Sequence, residues 1–205
     1  SVVGEIIVVD DGSTDGTEEV LGSLSDPRVR ILQHEENLGK GAALRTGFAL
    51  VSTQYVVIQD SDLEQDPSDY AQLVGPLDDG TADVVYGSRF PDGRRLPGQY
   101  FLHFWANRFL TVLSNLFTGL RLTDMETGYK AFRSEVLQGI LIEENRFGVE
   151  PELTAKIAAA NWRILEVRVS YAPRSFNSGK KIGWTDGLRA LYCIVRYSGG
   201  RKEMD

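Results

Sequence analysis

Two acidic clusters stand directly behind apolar runs. Asp10 and Asp11 follow Glu5–Val9 (EIIVV), and Asp60-Ser61-Asp62 follows Tyr55–Ile58 (YVVI). Alternate residues of an extended segment point the same way, so Asp60 and Asp62 can face one ligand together. Two hard carboxylates aimed at one point, with Glu64 two residues on, suit Mg2+ or Mn2+ bridging a diphosphate. Asp is also a common turn and capping residue behind strands. The second acidic strand end is what favours the metal reading. Such a site also needs cations to bind a diphosphate and stabilise it as a leaving group. Arg89, in Gly87-Ser88-Arg89-Phe90, ends a further apolar run, and Arg174, Lys180 and Lys181 crowd the segment RSFNSGKK at 174–181.

Two further stretches carry weaker signals. Asn37-Leu38-Gly39-Lys40-Gly41 opens a helical pattern. Its glycines let backbone approach a ligand, and a helix N-terminus favours anions. It lacks the G-x-x-x-x-G-K-[ST] spacing of a Walker loop, and it reads equally as a Gly-rich turn. Asp124, in TDMETGYK at 123–130, reads by itself as a cap or turn residue. His34 and His103 read as ordinary histidines, and Trp105, Trp162 and Trp184 as core or interface aromatics.

The elements that must position these groups alternate regularly at first. Strands are expected at Glu5–Val9, Val29–Leu32, Tyr55–Ile58 and Ala82–Tyr86, separated by helical patterns. The first of these carries Thr17, Val20, Leu21 and Leu24 at helical spacing, and the second spans Lys40–Ser52. The third starts at an Asp66–Pro67 cap and runs to Leu77. This βαβαβαβ order predicts an α/β fold with a mostly parallel sheet and helices on both faces. In such sheets ligands bind at the carboxyl ends of the strands, where both acidic clusters fall. Beyond it the pattern predicts a loop or lid at Pro91–Gly98, a long amphipathic helix over Gln99–Leu120 and a short strand at Tyr129–Phe132. A helix at Pro151–Ala160, a strand at Arg163–Val169 and a helix at Gly187–Tyr197 complete the chain.

Composition narrows the chemistry. The chain has 205 residues, 25% charged and 42% hydrophobic, as expected of one globular domain. Its net charge of −7 argues against general nucleic-acid binding, which needs a basic surface. A single cysteine, Cys193, and two histidines leave no disulfide framework and no Cys- or His-based metal centre. The chemistry must run on carboxylates, Arg, Lys and backbone. Gln99–Leu120 is too interrupted by polar residues to span a bilayer, although it could lie on a membrane surface. Cytoplasmic residence is expected, peripheral to the inner face of a membrane if that helix binds lipid. The abrupt start without Met suggests a trimmed chain.

These stretches together resemble glycosyltransferase family 2, in particular its dolichyl- and polyprenyl-phosphate hexose synthases. The resemblance rests on VVDDGSTDGT at 8–17, Asn37–Gly41, DSDLE at 60–64, GSRF at 87–90, Asp124–Lys130 and GKKIGWTDG at 179–187. It implies a GT-A type nucleotide-diphospho-sugar transferase that uses Mg2+ or Mn2+, inverts the anomeric centre, and takes a UDP- or GDP-hexose donor and a polyprenyl-phosphate acceptor. It implies a single catalytic domain over 1–205, with 1–90 binding the nucleotide sugar and 91–205 the acceptor. Asp10 and Asp11 would contact the nucleoside, and Asp60, Asp62 and Glu64 the diphosphate and metal. Gly39 and Lys40 would lie at the substrate. Arg89 and Arg108 would meet the acceptor phosphate, and Arg174 with Lys180 or Lys181 the donor diphosphate. Asp124 would stand near the reacting centre. Family members begin one strand and one helix earlier, and some end in membrane helices; neither feature is in this sequence. A transferase to a soluble or polysaccharide acceptor, a sugar-phosphate nucleotidyltransferase and an inactive donor-binding module are the alternative readings.

Overall fold

The computed structural model describes residues 3–93, 101–173 and 184–199. Arg174, Lys180 and Lys181, and most of the expected lid at 91–98, lie outside the described residues. Six strands and seven α-helices are described, with one 3-10 turn: β1 (Ile6–Asp10), α1 (Thr17–Gly22), β2 (Val29–Gln33), α2 (Lys40–Phe48), β3 (Tyr55–Val57), the turn Pro67–Asp69, α3 (Tyr70–Asp78), β4 (Val84–Ser88), α4 (Phe101–Thr118), β5 (Lys130–Arg133), α5 (Ser134–Gln138), α6 (Val149–Ala159), β6 (Ile164–Arg168) and α7 (Trp184–Ser198). The Asp66 cap forms as expected, its carboxylate accepting the Ser68 N–H at 2.8 Å.

The α/β class and the predominantly parallel direction of the strands are observed, with two differences in connection. β1 and β2 pair in parallel as a separate two-stranded sheet, with Ile6 opposite Val29. The other four strands are ordered β3-β5-β4-β6. β5 runs antiparallel to both β3 and β4, while β6 runs parallel to β4. β4 is buried along its whole length, so both of its edges must be paired inside the protein. β5 takes one edge and β6 the other. Strands from both sides of residue 90 therefore share one sheet.

Side chains on the central strands alternate between two cores, as a period of two requires. Val84 and Tyr86 of β4 and Phe132 of β5 pack with Leu110 of α4, Leu153 and Ile157 of α6 and Ile194 of α7. Val85 and Ala131 point to the other face, against Leu73 and Leu77 of α3 and Val169. Helices thus cover both faces. The chain between α4 and β5 then carries residues 119–129 across the carboxyl end of β4, and that crossing builds the site.

Candidate active site

At the end of β1 the two aspartates turn inward to hold the chain. Asp10 is buried and accepts the Ser13 N–H at 3.1 Å. Asp11 accepts the N–H groups of Leu38 (3.1 Å) and Gly39 (2.7 Å), and His34 Nδ1 lies 2.7 Å from its Oδ1. Burial works against the charged form of Asp11. The bonds from His34, Gly39 and Leu38 outweigh it, so its pKa lies below the ordinary aspartate value. His34 in turn reaches Thr46 Oγ1 at 2.9 Å, so it links β2 to α2 and orients Asp11.

Of the two readings of Asn37–Gly41, the geometry shows the Gly-rich turn. The anion at these N–H groups is the protein's own Asp11 carboxylate. A Cβ on Gly39 would come within 2.5 Å of the Asn145 carbonyl, and one on Gly41 within 2.0 Å of the Glu144 carbonyl. The glycines make room for the chain at 144–146. Gly39 also has φ +106°, a conformation that side chains disfavour.

Lys40 leaves that loop for the interior. Its Nζ lies 2.9 and 3.1 Å from the two Asp60 oxygens and 3.0 Å from Glu150 Oε1. Lys130, wholly buried on β5, takes the other oxygen of Glu150 and the Thr127 carbonyl, and its ammonium stacks 4.6 Å from the Tyr86 ring centre. Burial penalises the Lys130 ammonium more than Glu150 restores it, so its pKa falls. For Asp60, burial is overcome by Lys40, and its pKa is lowered. Gly128 closes this group: a Cβ there would meet Asp60 Oδ2 at 2.2 Å and Lys40 Nζ at 2.7 Å. Any side chain at 128 would have to displace the Lys40–Asp60 pair that the 119–129 crossing passes over.

Asp124 is fully buried and is held from three sides. Arg89 approaches it with Nε at 2.6 Å, Nη2 at 2.8 Å and its backbone N–H at 3.1 Å, and Asn107 of α4 adds a bond of 2.8 Å. Burial opposes ionisation of Asp124, and Arg89 and Asn107 more than compensate, so it is an anion throughout the neutral range. Glu166 of β6 accepts the N–H groups of Thr123 and Asp124, fixing the loop from below. Arg89 also stacks 5.3 Å from the Tyr171 ring, and Tyr171 donates its hydroxyl to Glu64 at 2.9 Å. Asp124 is therefore more than a turn residue: its carboxylate fixes the direction of the Arg89 guanidinium.

The expected three-carboxylate metal set is not assembled. Glu64 is buried against Tyr171, Asp60 is paired with Lys40, and Asp62 accepts the Glu64 N–H at 3.1 Å. Among the described residues no group of three or more His, Cys, Asp or Glu is placed to hold a metal ion. Asp60 and Asp62 remain as two hard oxygen donors at one strand end. That suits a cation such as Mg2+, which is commonly held by one or two carboxylates plus substrate phosphates. Glu64 instead braces Tyr171.

Sequence reasoning passed over Glu150, Glu166, Glu126, Tyr171 and the role of Lys130. In a string of letters a buried, paired charge looks like a solvated one. The available signal was Glu150 and Glu152 in a helix whose turns are otherwise buried; Glu152 accepts the N–H groups of Glu143 and Glu144 at 2.7 and 2.8 Å.

On α4 an apolar stripe faces outward: Phe101, Trp105, Phe109, Val112 and Leu116 are all exposed, Leu116 at 76%. Of the two roles expected for these aromatics, Trp105 is not in the core but on the exposed stripe, while Trp162 packs against the core. Asn107 leaves the opposite face of this helix for Asp124, and at 100° per residue Arg108 borders the stripe. Among the described residues no helix is long and apolar enough to cross a membrane.

Comparisons with known proteins converge. The family model for glycosyl transferase family 2 matches residues 4–141. The undecaprenyl-phosphate mannosyltransferase of Micrococcus luteus is 30% identical over 206 residues, covering 94% of this chain and 82% of its own. Polyprenol monophosphomannose synthase of Mycolicibacterium smegmatis is 28% identical over 209 residues, covering 98% and 78%. Among solved structures, glucosyl-3-phosphoglycerate synthase from Mycobacterium tuberculosis superimposes with a TM-score of 0.71 at 26% identity, over 97% of this chain and 71% of that one. A second structure of that enzyme, in complex with Mn2+, UDP and glucosyl-3-phosphoglycerate, gives a TM-score of 0.69 at 22% identity, over 95% and 69%.

Proposed function

The chain belongs to glycosyl transferase family 2 and is a glycosyltransferase with the GT-A fold, and from that premise we propose that it transfers a hexose from a UDP- or GDP-sugar to a polyprenyl phosphate. The observation that carries the acceptor is helix α4. One face of it holds Asn107 against Asp124, and the other exposes the apolar stripe bordered by Arg108. A single helix thus joins an exposed apolar surface, which could meet lipid, to the buried charges around Asp124. The relatives named for undecaprenyl- and polyprenyl-phosphate acceptors support the same reading.

In this reading the protein works peripherally, at the inner face of a membrane, with α4 in the interface. Residues 1–90 bind most of the donor and 91–205 the acceptor. Arg89, aimed by Asp124, and Arg108 receive the acceptor phosphate. Arg174, Lys180 and Lys181 neutralise the donor diphosphate as it leaves. Asp60 and Asp62 would hold Mg2+ or Mn2+, which when bound supplies further charge neutralisation at that diphosphate; the neighbour solved with Mn2+ and UDP supports this. A phosphate oxygen attacks the anomeric carbon while the carbon–oxygen bond to the diphosphate breaks, with inversion. The acceptor is already ionised near neutral pH, so no general base is required.

The phosphorylated acceptor of the glucosyl-3-phosphoglycerate synthase neighbour supports a second reading, a soluble phosphate acceptor. The test supplies the full-length protein and Mn2+ with a panel of nucleotide sugars, and either a short polyprenyl phosphate or 3-phosphoglycerate. The expected product is a hexosyl polyprenyl phosphate from one donor. Transfer to 3-phosphoglycerate alone would establish the second reading.

A further inference from the structure

Glu126 lies between the two charged groups of the site, and neither uses it. Two residues before it, Asp124 holds Arg89; two residues after it, Gly128 rests on Asp60 and Lys40. Glu126 Oε1 is buried and has no hydrogen-bond partner. Buried polar atoms in folded proteins are nearly always satisfied, and an exception placed between two charged groups of a candidate active site points to a partner the protein itself does not supply.

The chemistry of that ligand follows from the surroundings. Asp124 faces Glu126 from the same loop, Glu150 from α6, Lys130 from β5 and Arg89 from the end of β4. Burial, reinforced by Glu150, pushes the Glu126 carboxyl up to about 7. Asp124 and Glu150 beside it are offset by Lys130 and Arg89, so this carboxyl adds no positive charge of its own for a phosphate to meet. It suits a neutral hydroxyl, to which a carboxyl can donate as well as accept. Of the parts of a nucleotide sugar and a lipid phosphate, the hexose ring is the one that brings neutral hydroxyls to the point between the two phosphates.

We infer that Glu126 accepts a hydrogen bond from a hydroxyl of the donor hexose and so contributes to the choice of sugar. This rests on the nucleotide-sugar reading above. It makes the stretch 124–128 a three-part device: Asp124 aims the arginine for the acceptor, Glu126 reads the sugar, and Gly128 lets the chain close on Asp60.

The test is calorimetry on the full-length protein with Mn2+. The nucleoside diphosphate, the nucleotide sugar and its singly deoxygenated hexose analogues are each titrated into the wild type, Glu126→Gln and Glu126→Ala. The affinity for the nucleoside diphosphate should stay the same in all three. In Glu126→Ala the affinity for the nucleotide sugar should fall about 10-fold, the size of a hydrogen bond to a charged group. One deoxy analogue should bind about 10-fold more weakly to the wild type and equally to the intact sugar in Glu126→Ala. Glu126→Gln, which keeps an acceptor oxygen, should lose less. Equal losses for diphosphate and sugar would overturn the inference and make Glu126 structural. A fall in kcat with every donor affinity unchanged would also overturn it, placing the residue on the acceptor. Should Glu126→Ala not fold, the deoxy series against Glu126→Gln decides by the same coupling. Failure of the wild type to bind any nucleotide sugar would refute the proposed function itself, and this inference with it.

Discussion

Asp11 and Asp124 are both carboxylates held ionised, and the protein does it in opposite ways. Asp11 is 18% exposed and is held by backbone N–H groups and His34 in a region built on a two-stranded sheet. α1, the helix beside it, buries no residue. Asp124 is fully buried, held by a guanidinium and an amide, in a region whose central strand β4 is covered on both faces. A backbone-held anion ties one loop and loses little when it is removed. A buried ion pair is costly to break, because its partner is left charged in a poor solvent. The stiff region should therefore carry the chemistry, and the lighter one should order the chain that meets the donor.

The strongest challenge to this contrast is Glu150→Gln. It strips Lys40 and Lys130 of their shared carboxylate, so we expect a loss of about 3–5 kcal/mol, read in thermal unfolding as a fall of about 10 °C. An unchanged Tm would mean that the buried charges do not depend on one another. Gly128→Ala comes next. Its Cβ would strike Asp60, and overpacking of this kind costs about 1–3 kcal/mol. Hexose transfer should fall at least about ten-fold while far-UV circular dichroism is retained.

Asp11→Asn should cost less, about 1–2 kcal/mol. Its signature is the pH dependence. The folded pKa of Asp11 is depressed, so its contribution is complete above the ordinary aspartate value of about 4 and is lost as pH falls through the folded value. Wild type should lose stability relative to Asp11→Asn below about pH 4, and the two acid-unfolding curves should converge there. Parallel curves would detach Asp11 from the loop at 37–41. The smallest effect on stability, about 1 kcal/mol, is expected for Phe101→Ser with Trp105→Ser on the exposed stripe, mainly from the lost contact of Trp105 with Phe104. Those changes should abolish sedimentation with anionic vesicles. Retained sedimentation would move the membrane contact elsewhere.

Much of the framework was legible in the sequence. The apolar runs ending in Asp10 and Asp60, the Asp66–Pro67 cap and the long amphipathic α4 all fall where local patterns place them, because each is decided by neighbours in sequence. β5 was legible as a strand and not in its direction: four residues carry no signal of which edge they will join. The loop glycines stayed ambiguous for a related reason. Gly39 and Gly41 make room for residues 144–146, about a hundred positions away, and local composition cannot distinguish a chain from a ligand as the close neighbour. Lys130, Glu150 and Glu166 were missed because burial, which turns a surface charge into a structural one, is a property of the finished fold.

The central claim is that Asp124 acts through Arg89 on an acceptor that is already an anion. Steady-state transfer to a short polyprenyl phosphate by Asp124→Asn, measured from pH 6 to pH 9 beside calorimetric donor binding, tests it most directly. Asparagine keeps the shape and removes the charge that aims Arg89. The account predicts that donor binding survives, which also shows that the variant is folded. It predicts that turnover falls by about 100-fold or more at every pH, since no proton transfer is being replaced. Full turnover, or activity that recovers as the pH is raised, would contradict it and return Asp124 to a structural role or to that of a general base.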